Sequence, residues 1–168
     1  MKKLVVVCQC VEVIALAVWV GGLASIITAV IPAVFSTIGM EAGGRMLTKT
    51  FQGYDHLTQF SAALLLLAMM GRTWGAGVWS RSTSWREQVS MTELVLLMTM
   101  VAIAATLTFW LTPETARLQG IAFSAKDDAK RVAYDTFFAY HRIARALYLI
   151  NLGLGMTLLC VKVQKWVR

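Results

Sequence analysis

Residues 4–35 decide the fold of this chain, and they read LVVVCQCVEVIALAVWVGGLASIITAVIPAVF. The run holds a single charged side chain, Glu12. A helix rises about 1.5 Å per residue, so about 20 residues cross a hydrocarbon layer about 30 Å thick. Within lipid, the backbone groups of such a run must bond to one another inside a helix. We therefore predict that this run is a membrane-spanning helix.

Three more apolar runs follow, at residues 54–70, 94–111 and 144–163. The chain has 168 residues, of which 58% are hydrophobic, and its mean hydropathy is +0.64. This apolar content is well above that of soluble domains. We predict an all-α bundle of four transmembrane helices in one domain, residues 1–168, with both termini on the same side. The predicted spans are about 4–35, 54–72, 92–111 and 138–163.

The net charge of +7 comes from cations that flank the apolar runs, where anionic lipid headgroups attract them. We therefore expect a lipid bilayer as the partner and no nucleic acid. The cations divide evenly between the two predicted sides. Those on the side of the termini lie in shorter segments, where the positive-inside bias acts most strongly. This predicts a multi-pass protein of the bacterial inner (plasma) membrane with cytoplasmic termini.

Small residues recur every four positions along the first run. This spacing forms one stripe on a helix, and small side chains let a second backbone approach closely in a membrane. The pattern predicts that the first span packs at the centre of the bundle through this stripe, which consists of Ala17, Gly21, Ser25, Ala29 and Ala33.

Two polar side chains inside the spans are candidates for a functional role. Glu12 is either an intramembrane carboxylate, which marks a functional site, or a group at the cytoplasmic interface. Asn151 shares a helix face with Tyr148 and Gly155, by their spacing of three and seven residues.

The two histidines, His56 and His141, lie near the same end of the second and fourth spans. Two imidazoles at one depth are able to ligate a haem b iron or a copper ion, with Arg142 and Arg145 facing haem propionates or another anion. One alternative is a polar cluster that ties the second span to the fourth, with Asp55 paired to an arginine and Gln59 bonded across helices. Another is a site for an anion or a lipid headgroup.

Several local signals predict where helices begin and end. Pro32 is expected to bend or stop the first helix, and Thr112-Pro113-Glu114 is expected to close the third. Residues 36–53 are predicted to form either a short interfacial helix or an early start of the second span.

A family resemblance rests on Trp19-Val20-Gly21-Gly22, on Ile31-Pro32-Ala33-Val34-Phe35 and on residues 137–142, FFAYHR. These stretches resemble an uncharacterised bacterial family of four-helix membrane proteins, related to a eukaryotic transmembrane protein linked to platinum-drug resistance. A more distant similarity is to copper-resistance D proteins. The resemblance implies a fold and a topology, and it assigns no reaction.

No catalytic triad, phosphate-binding glycine loop or metalloprotease motif is present in the sequence. We therefore expect no enzyme activity. The sequence favours a small structural or accessory subunit that packs on membrane-protein partners in a larger complex. The alternatives are a haem- or copper-binding module that uses His56 and His141, or a small transporter.

Overall fold

The computed structural model describes residues 2–77, 90–124 and 128–167, and within these ranges every residue except Gly39 and Ser90 is helical. The helices form four long rods. Rod 1 is Lys2–Ser25, a π-helical turn at Ile26–Val30, and Ile31–Ile38; rod 2 is Met40–Gly77; rod 3 is Met91–Thr106, a π-helical turn at Leu107–Leu111, and Thr112–Ser124; rod 4 is Asp128–Val167. The prediction of an all-helical protein is confirmed.

Neighbouring rods run antiparallel around a square. Rod 1 packs on rods 2 and 4, and rod 3 packs on the same two rods, so that rods 2 and 4 lie on a diagonal. The direction of rod 4 follows from its contacts with rod 1, where Glu12 meets Lys162 and Val20 meets Gly155. This arrangement brings the start of rod 1, the end of rod 2, the start of rod 3 and the end of rod 4 to one end of the bundle.

Large apolar side chains fill the space between the rods. Rod 1 contributes Trp19, which is 1% exposed and whose carbonyl accepts a hydrogen bond from the hydroxyl of Tyr54 at 3.0 Å. Gly155 is buried where rods 1 and 4 approach closely, because a Cβ atom added there would lie 2.6 Å from the Val20 Cγ2 atom. Tyr148, Asn151 and Gly155 are all buried, so the face of rod 4 that they share points into the bundle.

The two prolines do not end their helices, which corrects the predictions for Pro32 and for residues 112–114. Rod 1 continues to Ile38 and rod 3 continues to Ser124. In each rod a π-helical turn ends two residues before the proline. A proline lacks an N–H group and clashes with a carbonyl in the preceding turn of an α-helix. The wider turn accommodates that conflict locally, so the rod passes through the proline.

Rods 1 and 2 are joined at Gly39, whose φ of 76° is a left-handed conformation that glycine adopts without steric cost. Rod 2 then runs without a break from Met40, which supports the early start of the second span over a separate interfacial helix. Gly43 closes the turn through a hydrogen bond from its N–H group to the Gly39 carbonyl at 3.0 Å.

Three helical segments of the described residues are long and apolar enough to cross a membrane: Lys3–Ile38, Met91–Ala122 and Arg131–Lys165, with mean hydropathies of 2.3, 2.3 and 1.8. Each rod is longer than the span predicted for it, and most of the extra residues lie at the starts of rods 2 and 4 and at the end of rod 3. The chain is therefore an all-α, membrane-type protein whose rods extend past the length that the hydrocarbon layer needs.

Candidate functional site

A cluster of charged side chains lies at the end of the bundle where rod 1 begins. Every rod contributes to this cluster, which we call the charge cluster and which consists of Glu12, Arg72, Glu93, Lys162 and Lys165. Glu12 is 1% exposed and Glu93 is 2% exposed. Glu12 is therefore buried between the rods, and its depth in a membrane stays a prediction.

Each carboxylate in the charge cluster is shared between cations from different rods. Arg72 bridges both acids, since its Nη2 atom donates to Glu93 Oε2 at 3.1 Å and its Nε atom lies 3.5 Å from Glu12 Oε1. Lys162 donates to Glu12 Oε2 and lies 3.7 Å from Glu93 Oε2, and Lys165 pairs with Glu93 Oε1. This sharing couples all four rods electrostatically.

A small cavity, about the size of one water molecule, lies directly beside the charge cluster. It is bordered by Glu12, Glu93 and Lys162 on one side and by apolar side chains on the other. Within the described residues, no group of three His, Cys, Asp or Glu side chains is placed to hold a metal ion. The features described at this end of the bundle are buried ion pairs and a space for at most one small polar molecule.

Sequence reasoning missed this cluster, although a signal for it was present. Each apolar run is bounded by a charged residue: Glu12 precedes the main part of the first, Arg72 follows the second, Glu93 precedes the third, and Lys162 falls near the end of the fourth. In an antiparallel bundle these four positions meet at one end. Arg72 and Lys162 are among the cations that flank the apolar runs and that the sequence predicts to face lipid headgroups. In the structure both are buried.

A second buried carboxylate, Asp55, lies further along the bundle and is 4% exposed. Its two oxygens accept hydrogen bonds from the hydroxyls of Thr112 on rod 3 and Tyr148 on rod 4, each at 2.8 Å. The ring of Tyr148 also packs on Phe51, with 4.9 Å between centroids. The prediction that Asp55 pairs with an arginine is wrong, since no ion pair of the described residues includes it.

Asn151 lies one helical turn from Tyr148 on rod 4 and is 3% exposed. Its Oδ1 atom has no hydrogen-bond partner among the described residues. Asn151, predicted as an intramembrane polar residue, is thus buried in the bundle, one helical turn from the tyrosine that donates to Asp55.

The two histidines are not brought together. His56 and His141 are both exposed, and they lie on the diagonal rods 2 and 4. Asp55 is next to His56 and bonds to Tyr148, which is seven residues after His141. Since rods 2 and 4 run in the same direction, the backbones of the two histidines are about 12 Å apart along the bundle axis. His141 stacks on Phe137 with 5.8 Å between ring centroids. This arrangement does not fit a haem or copper ion held between the two imidazoles inside the bundle.

The small-residue stripe faces away from the other rods. Rod 1 packs through Ala15, Leu16, Trp19 and Leu23, which lie on another face of the helix. A Cβ atom added at Gly21 would meet no atom within 4 Å. The prediction that the stripe packs inside the bundle is therefore corrected, because all of its members are exposed: Ala17, Gly21, Ser25, Ala29 and Ala33.

Comparison with known proteins identifies the family. Residues 14–124, more than half of the chain, match the family described as a domain of unknown function, DUF4149, and the chain belongs to this family. No curated protein and no solved structure matches the chain. The matched region includes most of rod 1, all of rod 2 and all the described residues of rod 3. The resemblance to proteins of platinum or copper resistance stays a prediction.

Proposed function

From this family membership we propose that the chain is a multi-pass protein of the bacterial inner membrane, crossed by all four rods, with both termini in the cytoplasm. Rod 2 contributes none of the three apolar spanning segments found among the described residues. Its side chains Asp55, Ser61 and Arg72 are buried, whereas His56 is exposed. From residue 57 to residue 70 its exposed side chains are apolar and include Leu57, Phe60, Leu67 and Met70. Over these residues rod 2 therefore presents lipid with an apolar surface.

Site-directed labelling tests this topology. In a variant with Cys8, Cys10 and Cys160 replaced by serine, single cysteines are introduced at Met40 and at Gln164, which lie at opposite ends of the bundle. We expect an impermeant maleimide to label Met40→Cys in intact spheroplasts and Gln164→Cys after permeabilisation. Labelling of both positions from the same face would contradict four crossings, and the reverse pattern would invert the proposed orientation.

We further propose that the protein acts as a small accessory or structural subunit of a larger membrane complex. The observation that carries this proposal is the exposed small-residue stripe on rod 1, which its own bundle leaves uncovered. Between helices in lipid, van der Waals packing replaces the hydrophobic effect, so a groove of small side chains favours a closely approaching partner helix. Large side chains fill the opposite face of rod 1, which packs on rods 2 and 4.

A pair of glycine variants tests the accessory role. Gly21 and Gly153 are both exposed, and a Cβ atom at either meets no atom within 4 Å. In native gels of membranes solubilised in mild detergent, we expect the wild type and Gly153→Leu to migrate in a large complex. Gly21→Leu is expected to migrate as the free protein. Migration of the wild type as a monomer, or the same shift in both variants, would argue against the proposal.

A further inference from the structure

Two arginines on rod 4, Arg142 and Arg145, have no counter-charge among the residues that the structure describes. Arg142 and Arg145 are exposed and three residues apart, so they lie on the same face of the helix. Neither forms an ion pair with any of the described residues. By contrast, Arg117 on rod 3 is paired with Glu114, with 3.0 Å between its Nε atom and the carboxylate. The two arginines of rod 4 are thus available to an external anion.

The surface around these arginines is apolar and aromatic. Ile143 is 53% exposed and Leu149 is 51% exposed on the same stretch of rod 4. Trp110, 59% exposed, packs edge-on against Tyr140 with 6.3 Å between ring centroids. Exposed tryptophan and tyrosine side chains are typical of the headgroup level of a membrane protein. An arginine that faces hydrocarbon without a partner has a high free-energy cost. An anion bound beside Arg142 and Arg145, at the headgroup level, would lower that cost.

We propose that Arg142 and Arg145 bind the phosphate group of an anionic phospholipid, which rests on the proposed insertion of the bundle into a bilayer. A guanidinium group donates two parallel hydrogen bonds to phosphate oxygens, and two such groups one turn apart reach one phosphate from two sides. Leu149, four residues from Arg145, and Met156 continue the same face as exposed apolar side chains. One face of rod 4 therefore matches both the headgroup and the acyl chains of a single lipid.

Lipid titration of the purified protein tests the site. Full-length protein in mild detergent is titrated with phosphatidylglycerol or phosphatidylcholine of the same acyl chains, and bound lipid is counted by native mass spectrometry. We expect the wild type to prefer phosphatidylglycerol. Replacing either arginine by glutamine should weaken that binding about 5-fold, and Arg142→Gln with Arg145→Gln about 25-fold, given the usual contribution of one cation near an anionic surface. Binding of phosphatidylcholine should not change.

Arg117→Gln is the matched control, because it removes an exposed cation that Glu114 already neutralises. An equal loss of phosphatidylglycerol binding in this control would overturn the proposal in favour of diffuse charge. Displacement of the lipid by inorganic phosphate at similar concentrations would overturn it in favour of a soluble anion. The maleimide labelling described above reports insertion separately, so a wild type that is inserted but shows no lipid preference refutes this site alone.

Discussion

Glu12 and Asp55 are both buried carboxylates, and the protein compensates their burial in different ways. Glu12 is surrounded by cations from rods 2 and 4 and shares them with Glu93. Asp55 receives two neutral hydroxyl donors, Thr112 and Tyr148, and no cation of the described residues pairs with it. The charge cluster thus depends on charge pairing, and the surroundings of Asp55 depend on directional hydrogen bonds.

The two carboxylates are too close for both to lie outside lipid. Glu12 is ten residues from Gly22, about 15 Å along the helix, and Gly22 contacts Tyr54, the residue before Asp55. The hydrocarbon layer is about 30 Å thick. At least one of the two carboxylates therefore lies at the depth of the acyl chains in a spanning bundle. The comparison shows two ways in which the bundle compensates a buried acid. Glu12 is paired with cations near the end of a span, and Asp55 accepts hydrogen bonds from hydroxyls further along the bundle.

The largest effect is expected from breaking the charge cluster. Glu12→Gln leaves Lys162 and Arg72 with less counter-charge in a buried site, which typically costs about 3–5 kcal/mol. The variant that also carries Lys162→Met removes the uncompensated lysine and should recover part of that loss. The measurement is the free energy of unfolding by SDS titration in mixed micelles.

Glu114→Gln is the control for the charge cluster, because it breaks an exposed pair with Arg117 that we expect to contribute no measurable stability. If Glu12→Gln unfolded at the same SDS fraction as this control, the charge cluster would not hold the rods together.

A smaller effect is expected between the two carboxylates, where rods 1 and 4 approach most closely. Gly155→Ala places a methyl group 2.6 Å from Val20 Cγ2, and the stiff valine cannot yield without shifting the helix. Overpacking of this kind costs about 1–3 kcal/mol. Gly153→Ala, two residues away in open space, should be neutral or slightly stabilising in the same SDS titration. Equal stabilities of the two variants would place the rods further apart than described.

The smallest effect is expected at Asp55. Tyr148→Phe removes one hydroxyl donor and leaves the ring packing on Phe51 in place. Hydrogen bonds between membrane helices contribute about 1–2 kcal/mol at most in model systems, so we expect a loss within that range. Tyr140→Phe serves as the control, since it also removes a tyrosine hydroxyl and leaves a ring contact in place, the edge-on packing on Trp110. A loss from Tyr148→Phe that exceeds the loss from Glu12→Gln would reverse the comparison between the two carboxylates.

Part of this arrangement was predictable from local patterns. The apolar runs predicted four helices because lipid-facing and core-facing residues are both apolar and the backbone must bond within each run. The spacing of Tyr148, Asn151 and Gly155 placed these three residues on one face of rod 4, and the structure showed that this face points inward. The partners of Asp55 and Glu12 were not predictable, because Thr112, Tyr148 and Lys162 come from other rods, distant in sequence.

The small-residue stripe shows the limit of such patterns most clearly. Spacing alone shows that Gly21 and its neighbours share a face of rod 1, but a small residue is compatible with its own bundle, with a partner helix and with lipid. Trp19 and Leu23 settle the question, because their large side chains fill the space between rods 1, 2 and 4. The prediction that Pro32 and Pro113 end their helices was likewise wrong. We recognise no sequence signal for the π-helical turns that accommodate the two prolines.

The amino-acid sequence by itself determined that this protein consists of long apolar helices whose apolar runs are bounded by charged residues. Hydropathy and helical periodicity are properties of a single helix, so both can be recognised from the sequence alone. Only the tertiary structure decided which face of each rod turns inward, and therefore that the charge cluster unites four rods while the stripe stays outside. Those choices depend on how side chains from distant segments fill a shared volume, which no single segment specifies.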